Sequence, residues 1–349
     1  MLSLMEDKII TTLHGAGGIE SWNIIEKLIR GRVPRDLWST PGGAGLDVLD
    51  DGSYIRIGES YIVFASDAYT VKPLFFPGGN IGELVASGVL NDLVMMGARP
   101  VAFMDNIVVE EGFAIRELED IVDSMVKTLV ENNVALIGGD FKVMPRGSVD
   151  GVVISGFAIG VSGKPPVVDS IKPGDKIIVT NYIAEHGSTI LAAQLDMLND
   201  APGLKSDVKP LVKTVLPVIE EYRDYINAAR DPTRGGLAAI LNEWSRSSGL
   251  TIIIDKGKIP VRKEVAEFLE MLGVDPLTLA SEGVAVLSVR SEVADKVVEA
   301  LRRNGENPYI IGEVVEPRSR ELRGRVVALT EVGGLTIIPP QAYNLPRIC

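Results

Sequence analysis

The chain has 349 residues, 46% hydrophobic and 23% charged, with 47 acidic against 35 basic side chains and a net charge of −12. That length suggests two domains of ordinary size, and that apolar fraction supports a buried core, so disorder is excluded as the default. The acidic balance, with no Lys/Arg-rich run, excludes nucleic-acid or membrane binding through bulk charge. Neither a signal peptide nor an apolar run long enough to cross a membrane is visible, so a cytoplasmic protein is expected.

In chain order, His14-Gly15-Ala16-Gly17-Gly18 comes first. Glycines let backbone N–H groups approach phosphate oxygens, but this is neither a Walker A loop nor a GxGxxG after a strand, and it reads more readily as a turn. Asp51 closes the acidic turn Asp50-Asp51-Gly52, and Asp67 follows an apolar run at 61–66. Within 80–97, Ile81, Leu84, Val85, Gly88, Val89, Leu93 and Met96 share a helical stripe, on which Asp92 also falls. A bare carboxylate buried there costs several kcal/mol, so it must be paired, hydrogen-bonded or metal-bound. A second amphipathic helix is expected over 115–129. A buried strand over 134–137 is expected to run into Gly138-Gly139-Asp140, followed by a strand over 152–159.

Residues 163–173, with three prolines, form the candidate linker. Beyond it, strands are expected over 176–180, 251–254 and 284–289, and helices over 188–198, 236–247, 261–272 and 292–303. Asp231 opens the turn Asp231-Pro232-Thr233-Arg234-Gly235-Gly236. Each half mixes helices with strands, which predicts α/β or α+β layers. Pro339, Pro340 and Pro346 keep the last stretch from folding into a helix, leaving a semi-rigid arm. It ends in Cys349, the only cysteine, which excludes an internal disulfide and a CxxC metal site. Each aspartate alone reads as a cap or turn residue. As a set at several chain turns they suit magnesium bound to phosphates.

These segments resemble the HypE hydrogenase maturation family, within the PurM-like (AIR synthetase-like) ATP enzymes, over nearly the whole chain. The resemblance rests on HGAGG at 14–18, DAYTVKPLFFPGGNIG at 67–82, Asn91-Asp92 with Met96-Gly97-Ala98, and Gly139-Asp140 with Lys142-Val143 and Arg146-Gly147. It extends to His186-Gly187, DPTRGG at 231–236, LGVDPLTLASEG at 272–283 and the terminal PRIC. Two departures stand out: Phe141 replaces the family threonine of GDTKV, and Ala184-Glu185 replaces Gly-Asp before the histidine.

The resemblance implies two α/β domains. Residues 1–165 would bind ATP and metal and dimerise, 166–335 would form the second domain, and 336–349 would be a mobile tail. ATP with magnesium would lie among Asp51, Asp67, Asp92, Asp140 and Asp231. The nucleotide would be contacted by His14, Gly15, Gly17, Gly18, Asn91, Gly139 and Arg234. It further implies a homodimer, a carbamoyltransferase partner (HypF) that loads Cys349, and a HypC–HypD complex that accepts a cyano group.

The reaction so implied, ATP-dependent dehydration of an S-carbamoyl group on Cys349 to an S-cyano group, needs a cation, a base and an activated oxygen. Lys142 is the candidate cation and Glu282 the candidate base, with His186 as the second choice. A small-molecule kinase or synthetase of the same fold, of the thiamine monophosphate kinase or selenophosphate synthetase type, would use the same aspartates but has no need of Cys349. A scaffold that binds ATP only as a signal is the third reading.

Overall fold

The computed structural model of the chain describes residues 9–330, 333–340 and 347–349. Helix α1 (Ile19–Leu28) precedes a sheet of five strands among the described residues. The hairpin β1 (Ser53–Ile57) and β2 (Ser60–Tyr69) opens it, and the short β3 (Phe75–Phe76) and β4 (Gly79–Asn80) pair separately. Then come α2 (Ile81–Met95), β5 (Arg99–Glu110), α3 (Ile115–Glu131), β6 (Ala135–Met144) and β7 (Val152–Ser162). The sheet order is β1-β2-β7-β5-β6, antiparallel except for β5 against β6.

Asn80 caps α2 through its side-chain oxygen, which accepts the N–H groups of Gly82 and Glu83. From Ile81 to Met95, only Glu83 of α2 is not buried. The helix is apolar all round because it is covered all round: Leu84, Val89 and Leu93 join the core of the first sheet. Val94 and Met95 instead meet Ile178, Leu211 and Leu216 of the second half. Its carboxylate Asp92 is thereby held at the seam between the halves.

Residues 163–175 contain neither helix nor strand. The second half runs β8 (Lys176–Val179), α4 (Glu185–Gln194), α5 (Leu216–Glu221), β9 (Ile226–Arg230), α6 (Gly236–Ser248) and β10 (Thr251–Asp255). It continues with α7 (Lys263–Leu272), β11 (Val286–Val289), α8 (Ala294–Arg303), β12 (Tyr309–Val315), β13 (Val326–Leu329) and β14 (Leu335–Ile338). These strands form one sheet in the order β14-β13-β10-β12-β8-β11-β9. Alternate residues serve its two faces. Ile177 and Val179 pack with α4, α6 and α7, whereas Ile178 packs with α5 and α8.

Three expectations need correction. Residues 134–137 do not form a buried strand: β6 is longer, and its first nine residues lie exposed because it is an edge strand whose faces the described residues leave open. Asp67 and Asp140 lie inside β2 and β6 rather than after them. Residues 336–338 belong to β14, paired with β13, so the arm begins later than 336. Strand β5 was not foreseen, since its outward positions carry Arg99, Asp105 and Asn106 among the apolar ones.

Candidate active site

Asp51 lies just before β1, Asp92 in the last turns of α2, and Asp231 directly after β9. One carboxylate oxygen from each lies within 4.8 Å of the others. Burial pushes all three carboxyls upward, Asp231 to about 7, and each is pushed further by neighbouring carboxylates. Asp51 Oδ2 is buried without a hydrogen-bond partner. Three buried carboxylates with a spare oxygen form a hard-donor set that fits a divalent cation such as magnesium. Asp67 stands beside them on β2, close enough to raise both Asp92 and Asp231, and forms a 3.9 Å ion pair with Arg234.

A residue that sequence reasoning missed organises this cluster. Arg230, the last residue of β9, reaches Asp169 at 2.8 Å, Asp51 at 3.0 Å, Asp50 at 3.2 Å and Glu243 at 3.7 Å. It fixes the Asp51 carboxylate from behind. Its only signal in the sequence is that it precedes Asp231.

The glycine-rich segment clasps the turn that carries Arg234. A Cβ on Gly17 would lie 2.6 Å from the Arg234 carbonyl oxygen, and a Cβ on Gly235 would lie 2.3 Å from the Gly17 carbonyl oxygen. Both residues have positive φ, so the contact needs glycine for space and for backbone conformation. His14 sits in a 3₁₀ turn (Thr12–Gly15), where its Nδ1 accepts the Thr11 N–H at 3.0 Å. Gly15 and Gly18 flank that clasp.

The C-terminus enters the same region. Lys72 N–H donates to the Arg347 carbonyl at 3.0 Å and Thr70 N–H to the Cys349 oxygen at 3.2 Å, an extension of the chain beyond β2. Arg347 also bonds the Thr70 carbonyl and pairs with Asp150. His186, fully buried at the start of α4, donates from Nε2 to the Ile348 carbonyl at 2.7 Å, since a carbonyl only accepts. Its Nδ1 is therefore the acceptor for the Ser206 hydroxyl at 2.8 Å. Burial lowers this ring to about 4, so it stays neutral. His186 is thus a receptor for the tail, with no free lone pair for proton removal.

Glu282 differs. It is 1% exposed, and neither carboxylate oxygen has a hydrogen-bond partner among the described residues. Burial first, then the charges of Asp231, Asp207 and Asp67, pushes it well up against the pull of Arg234. The Cys349 thiol is also pushed upward, by burial first and then by the Glu282 charge, while Arg234 opposes. Glu282 is enclosed, whereas the Arg234 side chain is 45% exposed and Cys349 half-buried, so the thiol lies at the rim of the space that holds the carboxyl.

Not every expected residue joins. Asp67 pairs with Gly156 across β2–β7, Gly156 with Asp105, and Asp105 with Gly139, which places Gly139 and Asp140 about three strand spacings, roughly 14 Å, from Asp67. Asp140 and Lys142 form an exposed 3.8 Å ion pair there. Within one chain neither reaches the cluster. Asn91 is turned away from it: buried, it donates to the Lys209 and Glu282 carbonyls and accepts the Leu211 N–H at 2.7 Å. It ties α2 to the loop that carries Glu282.

Two mixed sheets with helices, joined at an acid-lined seam, define a class. The AIR synthase related N-terminal domain family matches residues 49–162, and the corresponding C-terminal domain family matches 172–325. The carbamoyl dehydratase HypE of Azotobacter vinelandii is 35% identical over 354 residues, covering 97% of each chain. A solved HypE in complex with ATP has a TM-score of 0.79 at 35% identity, covering 97% of this chain and all of that one. HypE in a HypE–HypF complex has a TM-score of 0.81 at 33% identity, covering 91% of this chain and 99% of that one. This chain belongs to the HypE hydrogenase maturation family, with the two-domain PurM-like fold. Among the described residues no helix is long and apolar enough to cross a membrane.

Proposed function

We propose that this chain is an ATP-dependent carbamoyl dehydratase that converts an S-carbamoyl group on its own Cys349 to an S-cyano group, supplying the cyanide ligand of nickel–iron hydrogenase. The observation that supports it most is the docking of the terminal segment on His186, which Asp207 ties to the loop of Glu282, a buried carboxyl with no hydrogen-bond partner among the described residues.

A thiocarbamate holds its oxygen because that oxygen is a poor leaving group. Transfer of the ATP γ-phosphoryl to it, with loss of one N–H proton, gives ADP and an imidophosphate. Expulsion of phosphate with loss of the second N–H proton leaves S–C≡N. Glu282 takes one proton and the departing phosphate the other. Asp51, Asp92 and Asp231 would hold magnesium, which neutralises the triphosphate when bound, with Asp67 at its side. Arg234 is the cation that this chain itself sets beside the thiol and Asp67.

We extend the reading to a cytoplasmic homodimer. Leu136, Phe141 and Val143 of β6 are 43–56% exposed, an apolar edge suited to a second copy. Lys142 takes part only if that copy brings it to a site. By its kinship, the chain takes the carbamoyl group from a HypF partner and passes the cyano group to a HypC–HypD complex. Residues 1–165 then bring Asp51, Asp67 and Asp92 to the ATP–metal site and dimerise, and 166–335 bring Asp231, Arg234 and the base.

The test is the mass of the C-terminal peptide after carbamoyl loading, with magnesium and ATP added. Loss of one water supports the reading, and Cys349→Ser is expected to abolish it. A carbamoylated peptide that never loses water overturns the reading. Light scattering near 37.5 kDa, the mass of one chain, would overturn the dimer alone.

A further inference from the structure

We infer that Asp207 is a positioning residue: its one carboxylate fixes the loop of the base Glu282 and the tail receptor His186 at a set separation. This rests on the proposed dehydratase reaction. Asp207 Oδ1 accepts the His186 N–H and the Glu282 N–H, each at 3.1 Å, and Oδ2 accepts the Gly283 N–H at 3.2 Å. Those donors come from two segments about a hundred positions apart in the chain, one on α4 and one before β11. Its neighbour Ser206 donates to the His186 ring, so residues 206–207 hold His186 by both backbone and side chain. That ring carries the Ile348 carbonyl, one residue from the reacting thiol.

Contacts around the carboxylate leave little slack. A Cβ on Gly283 would lie 2.0 Å from the Asp207 carbonyl oxygen. The Ser281 hydroxyl accepts the Ala184 N–H at 2.8 Å, and the Ala280 carbonyl accepts the Gly187 N–H at 2.9 Å, sewing the two segments together on both sides of Asp207. A carboxylate at the start of α4 also caps that helix. A cap alone, however, has no need to grip Glu282 and Gly283. Among the described residues Glu282 has no hydrogen-bond partner for its carboxylate, so its direction depends on its backbone. A displacement near 1 Å at a reacting group costs about a hundredfold in rate.

The experiment uses full-length protein carbamoylated on Cys349, mixed with magnesium and a series of ATP concentrations. The water lost from the C-terminal peptide is timed by mass spectrometry. Asp207→Asn keeps the size but turns one oxygen into a donor that opposes an N–H group. The expected result is a maximal rate lower by about 10- to 100-fold at an unchanged ATP half-saturation. Asp207→Glu keeps both oxygens and moves them by one methylene, and is expected to slow the reaction in the same way. It stands in if the asparagine variant does not fold. A wild-type rate in either folded variant overturns the inference. So does a loss of rate that only follows the lost folded fraction, since that is what a cap alone predicts. Failure of the wild-type protein to lose water overturns the dehydratase reading itself and this inference with it.

Discussion

Asp92 and Asp140 sit in equally apolar stretches of sequence, and their surroundings in the fold are opposite. Asp92 is on a helix packed from every side, 8% exposed, with its carboxyl raised by burial and by Asp231, Asp67 and Asp51. Asp140 is on an edge strand and meets Lys142 at 3.8 Å in the open. The difference teaches that an apolar run states a preference for cover without saying which molecule supplies it. For α2 the cover is the chain's own second half. For β6 the described residues leave the first nine positions exposed.

The largest effect is expected deep in the buried region. Glu282→Gln keeps the shape and removes the base, so dehydration should fall by about 10²–10⁴-fold with ATP affinity retained. An active glutamine variant would remove Glu282 from the chemistry. Next, Asp92→Asn should abolish ATP turnover, measured as ADP release. Without magnesium the same change should stabilise the fold by about 1 kcal/mol near neutral pH, because it removes a carboxyl whose ionisation burial and its neighbours oppose in the folded chain. A lower melting temperature in chelator would contradict that. Asp140→Asn should leave stability within about 0.5 kcal/mol, which would sharpen the contrast.

A pH effect follows from His186. Its folded value is about 4 against an ordinary 6.5, so below pH 6.5 the unfolded chain takes up the proton first. Stability from this group is then full above pH 6.5 and declines as the pH falls toward 4, by up to about 3 kcal/mol. Denaturant unfolding across that range should show the decline in the wild type and less of it in His186→Gln. Equal slopes would mean that the ring is not held neutral. The smallest effect belongs to Lys142→Ala, whose exposed ion pair contributes about 0–1 kcal/mol.

The sequence made much of the fold legible where periodicity and burial agree. Helices α2, α3, α6, α7 and α8 lie within a few residues of their expected positions. Strand β5 escaped because polar side chains interrupt it, and β6 was misjudged because spacing reports a strand but not its neighbours. At the site, Asp51, Asp92 and Asp231 were readable from stripe and turn positions, and the fold brings them together. The parts that were not readable are those made by distant chain segments. Arg230 looks like any strand-end arginine, and Asp207 sits in an unremarkable loop. Their roles arise from contacts across 75 to 179 positions, as with Glu282 in the reach of Asp207 and Asp51 in that of Arg230.

In the proposed reaction the docked tail also sets the kinetic order. Because Thr70 and Lys72 hold Cys349 and Arg347 by their main chain, a carbamoyl group on Cys349 would arrive tethered to its own catalyst. A short tether presents it at an effective concentration on the order of millimolar, whatever the dilution of the protein. Dehydration should therefore be first order and independent of protein concentration, with no saturation constant for the carbamoyl group. Each molecule then completes one event per loading, and steady output is paced by the exchange of the arm with its partners rather than by the chemical step.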